Sequence, residues 1–115
     1  MPVTLYHNPR CSKSRQALEL LRSRDVEPEI IEYLKTPPSA TELERILGLL
    51  AMEPRMLMRK KESVYSELAL GDESLARHEL IQAMVEHPIL MERPIALGAE
   101  RAALGRPPDK ILEVL

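Results

Sequence analysis

The sequence predicts an α/β fold in which a helical insertion interrupts a central mixed β-sheet, all within a single domain over residues 1–115. Three observations lead to this prediction. A strand, a helix and a second strand follow one another in the N-terminal third of the chain. Residues 39–86 carry helical signals and no strand signal, and a hairpin pattern with a final helix follows them. The predicted order is therefore βαβ, helical insertion, ββα.

The N-terminal third has the pattern of a βαβ unit. Residues 3–6 are an apolar run that predicts a strand, and residues 30–34 predict a second one. Between them, apolar side chains recur at helical spacing over residues 14–24. Ser12 or Ser14 can cap this helix. Because a helical connection of this length joins parallel strands, we expect a parallel pair with a right-handed crossover.

The insertion has three helical signals. Ser39 and Glu42 have the spacing of a capping box, which predicts a helix that begins there and ends near residue 50. Pro54 suits the first turn of a short helix. Apolar side chains at helical spacing predict a further helix over residues 73–85.

The C-terminal part predicts a hairpin and a helix. Residues 94–97 are apolar, residues 101–104 carry three apolar side chains after Arg101, and the turn residues between the two segments include Gly98. Pro107 and Pro108 precede a last predicted helix over residues 109–115. The whole arrangement is a thioredoxin-like sheet with helices inserted midway.

The composition excludes several classes of protein. Hydrophobic residues make up 44% of the chain and charged residues 30%, which is typical of a soluble globular domain. A net charge of -2 and the absence of Phe and Trp argue against nucleic-acid binding. No apolar run is long enough for a membrane helix, and the N-terminus lacks the features of a signal peptide. We therefore expect a cytoplasmic protein, with a monomer as the default state.

Cys11 is the only cysteine, so the chain cannot form an internal disulfide. It lies in a polar, cationic segment at the predicted start of the first helix, where unpaired N–H groups and the helix dipole favour an anion. Arg10, Lys13 and Arg15 add positive charge nearby. These surroundings favour the thiolate, which is the nucleophilic form of cysteine, and they favour an anionic substrate. A small buried hydrophobic residue is the alternative interpretation.

Three neighbours of Cys11 are candidates to assist it. His7 could donate a proton or form an ion pair with the thiolate, or it could be a loop histidine bonded to backbone. Ser14 and Arg15 could stabilise the thiolate, although Ser14 could equally be a helix cap. A phosphatase-type loop is disfavoured because the sixth residue after Cys11 is Ala17 and not Arg, and Ser14 occupies the position that a CxxC centre needs. No metal-ligand spacing is convincing.

Three distant arginines are candidates for an oxyanion site: Arg59, Arg93 and Arg106. Arginine binds tetrahedral oxyanions with a planar, bidentate fork, but each of these residues could also be a solvated surface cation. Arg93 and Arg106 each precede a proline, which favours an extended backbone. Pro94 is a candidate for a cis proline because it begins the third predicted strand of a thioredoxin-like sheet.

Five segments in register give the chain its resemblance to the glutaredoxin-coupled arsenate reductase (ArsC) family. They are His7-Asn8-Pro9-Arg10-Cys11-Ser12-Lys13-Ser14-Arg15, Tyr33-Leu34-Lys35-Thr36-Pro37-Pro38, Leu57-Met58-Arg59-Lys60, His87-Pro88-Ile89-Leu90-Met91-Glu92-Arg93-Pro94-Ile95 and Gly105-Arg106-Pro107. The resemblance covers essentially the full chain. It departs from the best-known resistance enzymes at Ser12 and Lys13, where those carry Gly and Thr.

The resemblance implies a function and a set of partners. Cys11 would attack arsenate, with His7 near the thiolate and Arg59, Arg93 and Arg106 on the oxyanion. Glutathione, as a co-substrate and not as a bound cofactor, and then glutaredoxin would supply the reducing thiols. Two alternatives stay open. One is a glutathione-dependent thiol protein with another substrate, and the other is a non-catalytic Spx-type regulator that binds RNA polymerase.

Overall fold

The computed structural model describes residues 2–115, which form four strands and four α-helices. Three 3₁₀ helices occur at Pro54–Leu57, Pro88–Leu90 and Pro108–Val114. The strands and α-helices, in chain order, are β1 (Thr4–His7), α1 (Ser12–Ser23), β2 (Glu29–Glu32), α2 (Ala40–Leu50), α3 (Ser63–Glu67), α4 (Arg77–Glu86), β3 (Ile95–Leu97) and β4 (Ala102–Leu104).

The chain divides into two compact units. The first joins the N-terminal segment, up to Thr36, to Arg93–Leu115, and the second is Pro37–Glu92. The second unit contains the residues 39–86 that the sequence predicts to be a helical insertion.

The first unit contains the sheet, whose strand order is β2-β1-β3-β4. Strands β1 and β2 are parallel, with Leu5 opposite Ile30, and α1 is the connection between them. Strand β3 runs antiparallel to β1, and β4 runs antiparallel to β3. The predicted mixed sheet, with βαβ followed by ββα, is therefore confirmed.

One face of α1 packs on this sheet and fixes where the helix begins. Ala17 and Leu21 are fully buried in a cluster with Leu5 from β1, Ala96 from β3 and Ile111 from the last 3₁₀ helix. Burial of a leucine or isoleucine side chain contributes about 1.5–3 kcal/mol. The packing holds the N-terminus of α1 at the end of β1, with only a four-residue connection between them.

The second unit is helical, as predicted. The hydroxyl oxygen of Ser39 accepts a hydrogen bond from the Glu42 amide at 3.1 Å, which is the predicted N-cap of α2. Pro54 begins a 3₁₀ helix. An isolated antiparallel bridge pairs Met58 with Met91 in this unit.

Two local predictions are wrong. Neither Ser12 nor Ser14 is the N-cap of α1: the helix begins at Ser12, so Cys11 takes that position. Helix α4 begins at Arg77 and not near residue 73, because the Asp72 carboxylate accepts hydrogen bonds from the amide and hydroxyl of Ser74 and holds a turn there. The predicted last helix is present as the 3₁₀ helix Pro108–Val114, and no sequence pattern predicts the short helix α3.

Candidate active site

The loop between β1 and α1 holds Cys11 by short-range hydrogen bonds. The Cys11 amide donates to the carbonyl oxygen of Asn8 at 2.9 Å. The Asn8 side-chain oxygen accepts from the Arg10 amide at 3.0 Å, and Arg15 donates to the carbonyl oxygen of Pro9 at 2.9 Å. Cys11 itself is half-buried, and its carbonyl accepts the first bond of α1 from the Arg15 amide. The backbone of Cys11 is therefore held in place, and the residue stays partly exposed.

The surroundings of the Cys11 thiol favour its ionised form. Burial by itself raises the pKa of this thiol, but the Ser14 amide, a hydrogen bond from the Arg93 side chain, the Arg93 charge and the Lys13 amide lower it. The net result is a pKa below the ordinary value. The lowering groups belong to the first turn of α1 and to the residue that precedes Pro94. The thiolate is thus stabilised by backbone dipoles and one guanidinium.

His7 is buried and bonded to Ser14. Its Nδ1 atom lies 2.6 Å from the Ser14 hydroxyl oxygen, and the same oxygen accepts a hydrogen bond from the Asn8 amide at 3.1 Å. Burial lowers the pKa of His7, the Glu32 carboxylate opposes this, and Arg15 and Arg22 add to the lowering. The imidazole is therefore neutral at pH 7, which favours a role in holding the loop over an ion pair with the thiolate.

Arg15, the other predicted stabiliser of the thiolate, makes a contact within the loop. Its guanidinium donates to the Pro9 carbonyl, and the groups that lower the pKa of Cys11 do not include it. Its direct contribution to the thiolate stays a prediction.

Arg93 and Arg106 are joined by a hydrogen bond from the side chain of Arg106 to the backbone of Arg93. Both the Arg93–Pro94 and the Arg106–Pro107 peptide bonds are cis. The Arg106 Nε donates to the carbonyl oxygen of Arg93 at 3.2 Å. The Arg93 Nε is buried and has no hydrogen-bond partner among residues 2–115. A buried N–H group without a partner costs about 1–3 kcal/mol, so this donor beside a nucleophile marks a place for an acceptor.

Arg59 belongs to the second unit, where it lies between two carboxylates. Its guanidinium is 3.0 Å from Glu62 and 4.0 Å from Glu92. The Arg59 amide donates to the carbonyl oxygen of Leu90 at 2.6 Å. Arg59 is held by its own unit, and its predicted role in an oxyanion site depends on its sequence motif.

Sequence reasoning missed two contributors to this site. Asn8 fixes the loop through its side chain, carbonyl and amide, and the signal for it is the Asn-Pro turn. Gly105 donates its amide to the Pro94 carbonyl oxygen at 2.8 Å. The available signal was a glycine that follows the apolar pair Ala103-Leu104 and precedes the pair Arg106-Pro107.

The described residues hold no group of three His, Cys, Asp or Glu side chains placed to bind a metal ion. Over residues 2–115, none of the helices has the length and apolar character needed to span a bilayer.

Comparison with known proteins finds close relatives over nearly the whole chain. A model of the ArsC family matches residues 6–114. The chain is 53% identical over 114 residues to the uncharacterized protein YfgD of Escherichia coli strain K12, with coverage of 98% of this chain and 96% of that protein. It is 45% identical over 114 residues to an arsenate reductase of Neisseria meningitidis strain MC58, with coverage of 98% and 97%.

The structural comparison agrees with the sequence comparison. The arsenate reductase from Vibrio cholerae superposes with a TM-score of 0.96 at 49% sequence identity, over 100% of this chain and 98% of that one. A second structure, a putative arsenate reductase from Yersinia pestis, gives a TM-score of 0.93 at 46% identity, over 97% and 99% of the two chains.

Proposed function

This chain belongs to the ArsC family, and we propose that it is an arsenate reductase whose nucleophile is Cys11. Relatives of that name are 40–45% identical to it and align over nearly its full length. The observation that carries the proposal is the Arg93 side chain. This side chain donates a hydrogen bond to the Cys11 thiol and lowers its pKa, while its Nε is buried without a hydrogen-bond partner among the described residues.

An arsenate oxygen would supply the hydrogen-bond acceptor that the Arg93 Nε lacks. A tetrahedral oxyanion beside Cys11 would accept this N–H and be attracted by the positive guanidinium. Arg106, whose Nε bonds the Arg93 carbonyl, is the second candidate for the oxyanion. Arg59 is the third, on the basis of its Leu-Met-Arg-Lys motif. Guanidinium groups held in place before reaction stabilise the negative charge that develops on oxygen.

The proposed reaction begins at sulfur. The Cys11 thiolate attacks arsenic(V), an arsenate oxygen leaves as water, and an S–As bond forms. A glutathione thiol then displaces a second oxygen as water, so that arsenic carries both sulfurs. A glutaredoxin thiolate next attacks the glutathione sulfur. The S–As bond to glutathione breaks, its electron pair reduces arsenic(V) to arsenic(III), and a glutathione–glutaredoxin disulfide forms. Water finally hydrolyses the Cys11–arsenic(III) bond, which releases arsenite and restores the thiol.

The single cysteine supports an external source of electrons. Arsenate reduction needs two electrons, and a chain with one thiol cannot supply them by forming an internal disulfide. Glutathione and glutaredoxin are the proposed donors, and a reducing cytoplasm is the compartment that this cycle requires. The neutral His7 would keep the loop in place through Ser14.

A coupled assay tests the proposal. NADPH oxidation is followed in the presence of glutathione, glutaredoxin, glutathione reductase and arsenate. We expect arsenate-dependent turnover that Cys11→Ser abolishes, whereas Arg24→Ala, at the exposed C-terminal end of α1, leaves it unchanged. The absence of arsenate-dependent turnover with several glutaredoxins would show that this function is wrong.

A further inference from the structure

The end of β4 and the start of β3 meet at one very close contact. A Cβ atom placed on Gly105 would lie 2.6 Å from Cγ and 3.1 Å from Cδ of Pro94, and 3.3 Å from Cδ1 of Ile111. Carbon atoms in ordinary contact are about 3.5–4.0 Å apart. The nearest atom belongs to a closed proline ring, which cannot rotate away as the end of a long side chain can. Any side chain at position 105 must therefore displace Pro94 or the strand end.

Two hydrogen bonds transmit that contact to Arg93. The Gly105 amide donates to the carbonyl oxygen of Pro94 at 2.8 Å, and the neighbouring Arg106 Nε donates to the carbonyl oxygen of Arg93 at 3.2 Å. Residue 105 is thus tied to Pro94 by a backbone hydrogen bond, and the Arg106 side chain ties the next residue to the Arg93 backbone. Arg93 is the residue whose side chain donates a hydrogen bond to the Cys11 thiol.

The geometry points to Gly105 as a positioning residue for the reaction: the hydrogen atom in place of a side chain lets the end of β4 pack on the Pro94 ring, and this packing sets the Arg93 guanidinium at the Cys11 thiol. Gly105 touches neither the thiol nor the oxyanion in this mechanism. The inference depends on the reactive Cys11 of the proposed function, but it does not depend on arsenate as the substrate.

Alkylation by iodoacetamide gives a direct test, because the chain has one cysteine and the reaction therefore reports on Cys11 alone. The rate is measured against pH for the wild type and for Gly105→Ala. Below the pKa of the thiol, the rate follows the thiolate fraction. We expect Gly105→Ala to slow alkylation at neutral pH about threefold or more, and to move the midpoint of the profile upward.

Arg93→Gln provides the second half of a double-mutant cycle. If Gly105 acts through Arg93, Gly105→Ala produces no further loss of reactivity in the Arg93→Gln background. Gly98→Ala is the matched control, because it also creates a tight contact, 3.3 Å to the Val114 carbonyl oxygen, at the opposite end of the same hairpin. We expect its alkylation profile to match that of the wild type.

Pro94→Ala keeps the test decisive if Gly105→Ala alone fails to fold, because it removes the Cγ and Cδ atoms that the new methyl group would meet. In that background we expect Gly105→Ala to fold and to leave the Cys11 reactivity where Pro94→Ala sets it. The inference is wrong if Gly105→Ala has wild-type thiol reactivity, if its effect persists at full size without Arg93, or if it costs as much in the Pro94→Ala background. An unchanged alkylation profile would leave the arsenate proposal standing, and the coupled assay would judge that proposal separately.

Discussion

The His7 imidazole and the Ser14 hydroxyl group, 2.6 Å apart, join the end of β1 to the first turn of α1. The same hydroxyl oxygen accepts a hydrogen bond from the Asn8 amide, and Ser14 is fully buried. The Ser14 side chain is thus engaged with the loop, whereas its backbone amide lowers the pKa of Cys11. One residue serves both the architecture and the chemistry, through different atoms.

Ser14→Ala separates these two roles. Loss of the hydroxyl leaves the His7 Nδ1 and the Asn8 amide without this partner, and a buried polar group that loses its partner costs about 1–3 kcal/mol. We therefore expect a clear fall in the free energy of unfolding and little change in the pH profile of Cys11 alkylation. Urea denaturation and iodoacetamide kinetics measure the two effects. A large upward shift of the alkylation profile with unchanged stability would mean that the hydroxyl, and not the amide, stabilises the thiolate.

The stability of the protein should depend on pH through His7. Burial lowers the pKa of folded His7 below its ordinary value of 6.5, so in the range between the two values the unfolded chain binds more protons. The contribution of neutral His7 to the free energy of unfolding is then fully present above about pH 6.5, and it is lost as the pH falls from there towards the folded pKa. The free energy of unfolding is measured from pH 7.5 to 5 in the Cys11→Ser protein, so that the thiol does not titrate. It should fall less steeply when His7→Asn is added to that protein. Equal slopes in the two proteins would contradict the neutral, buried imidazole.

Arg93 should matter to the thiol before any substrate is present. Arg93→Gln removes the charge and weakens the hydrogen bonding that lower the pKa of Cys11, so we expect alkylation at neutral pH to slow about three- to tenfold. Arg93→Lys keeps the charge and loses the planar fork, so it should retain more thiol reactivity than Arg93→Gln. Identical reactivity in the wild type, Arg93→Gln and Arg93→Lys would show that Arg93 does not stabilise the thiolate.

The fold was accessible from the sequence where patterns are local. Apolar runs locate β1, β3 and β4, helical spacing locates α1, and the capping-box spacing of Ser39 and Glu42 locates α2, each within a few residues. Helix α3 has only five residues and no fully buried side chain, so it has no apolar periodicity to detect. The late start of α4 depends on where the Asp72 carboxylate points, which no periodicity encodes.

The site was less accessible because its contacts join distant parts of the chain. Cys11 stands out by its position at a helix start, and Pro94 by its place at the start of a strand. The bond between the Arg106 side chain and the Arg93 carbonyl depends on the pairing of β3 with β4. The orientation of the Ser14 hydroxyl towards His7 depends on how α1 packs on the sheet, and the sequence alone suggested a helix cap.

Ala51 offers a test of the second unit that is independent of the site. It ends α2 in the left-handed conformation, with φ 55° and ψ 44°. A non-glycine residue there is strained by about 1–2 kcal/mol, and part of the gain on its replacement is lost to the greater freedom of glycine in the unfolded chain. Thermal denaturation should show Ala51→Gly to be more stable than the wild type by about 0.5–1 kcal/mol. Ala83→Gly, inside α4, should destabilise by about 1 kcal/mol, and a loss of stability in Ala51→Gly would contradict the assigned backbone conformation.

Protection of Cys11 by arsenate tests the central claim most directly, because it needs no glutathione, glutaredoxin or other partner. The rate of Cys11 alkylation is measured at increasing arsenate concentration, at constant ionic strength and pH, in the wild type and in Arg93→Gln. If the oxyanion binds beside the thiolate at the unpaired Arg93 Nε, arsenate slows alkylation saturably in the wild type, and Arg93→Gln needs a much higher concentration for the same protection. An alkylation rate in the wild type that does not change with arsenate would contradict the account.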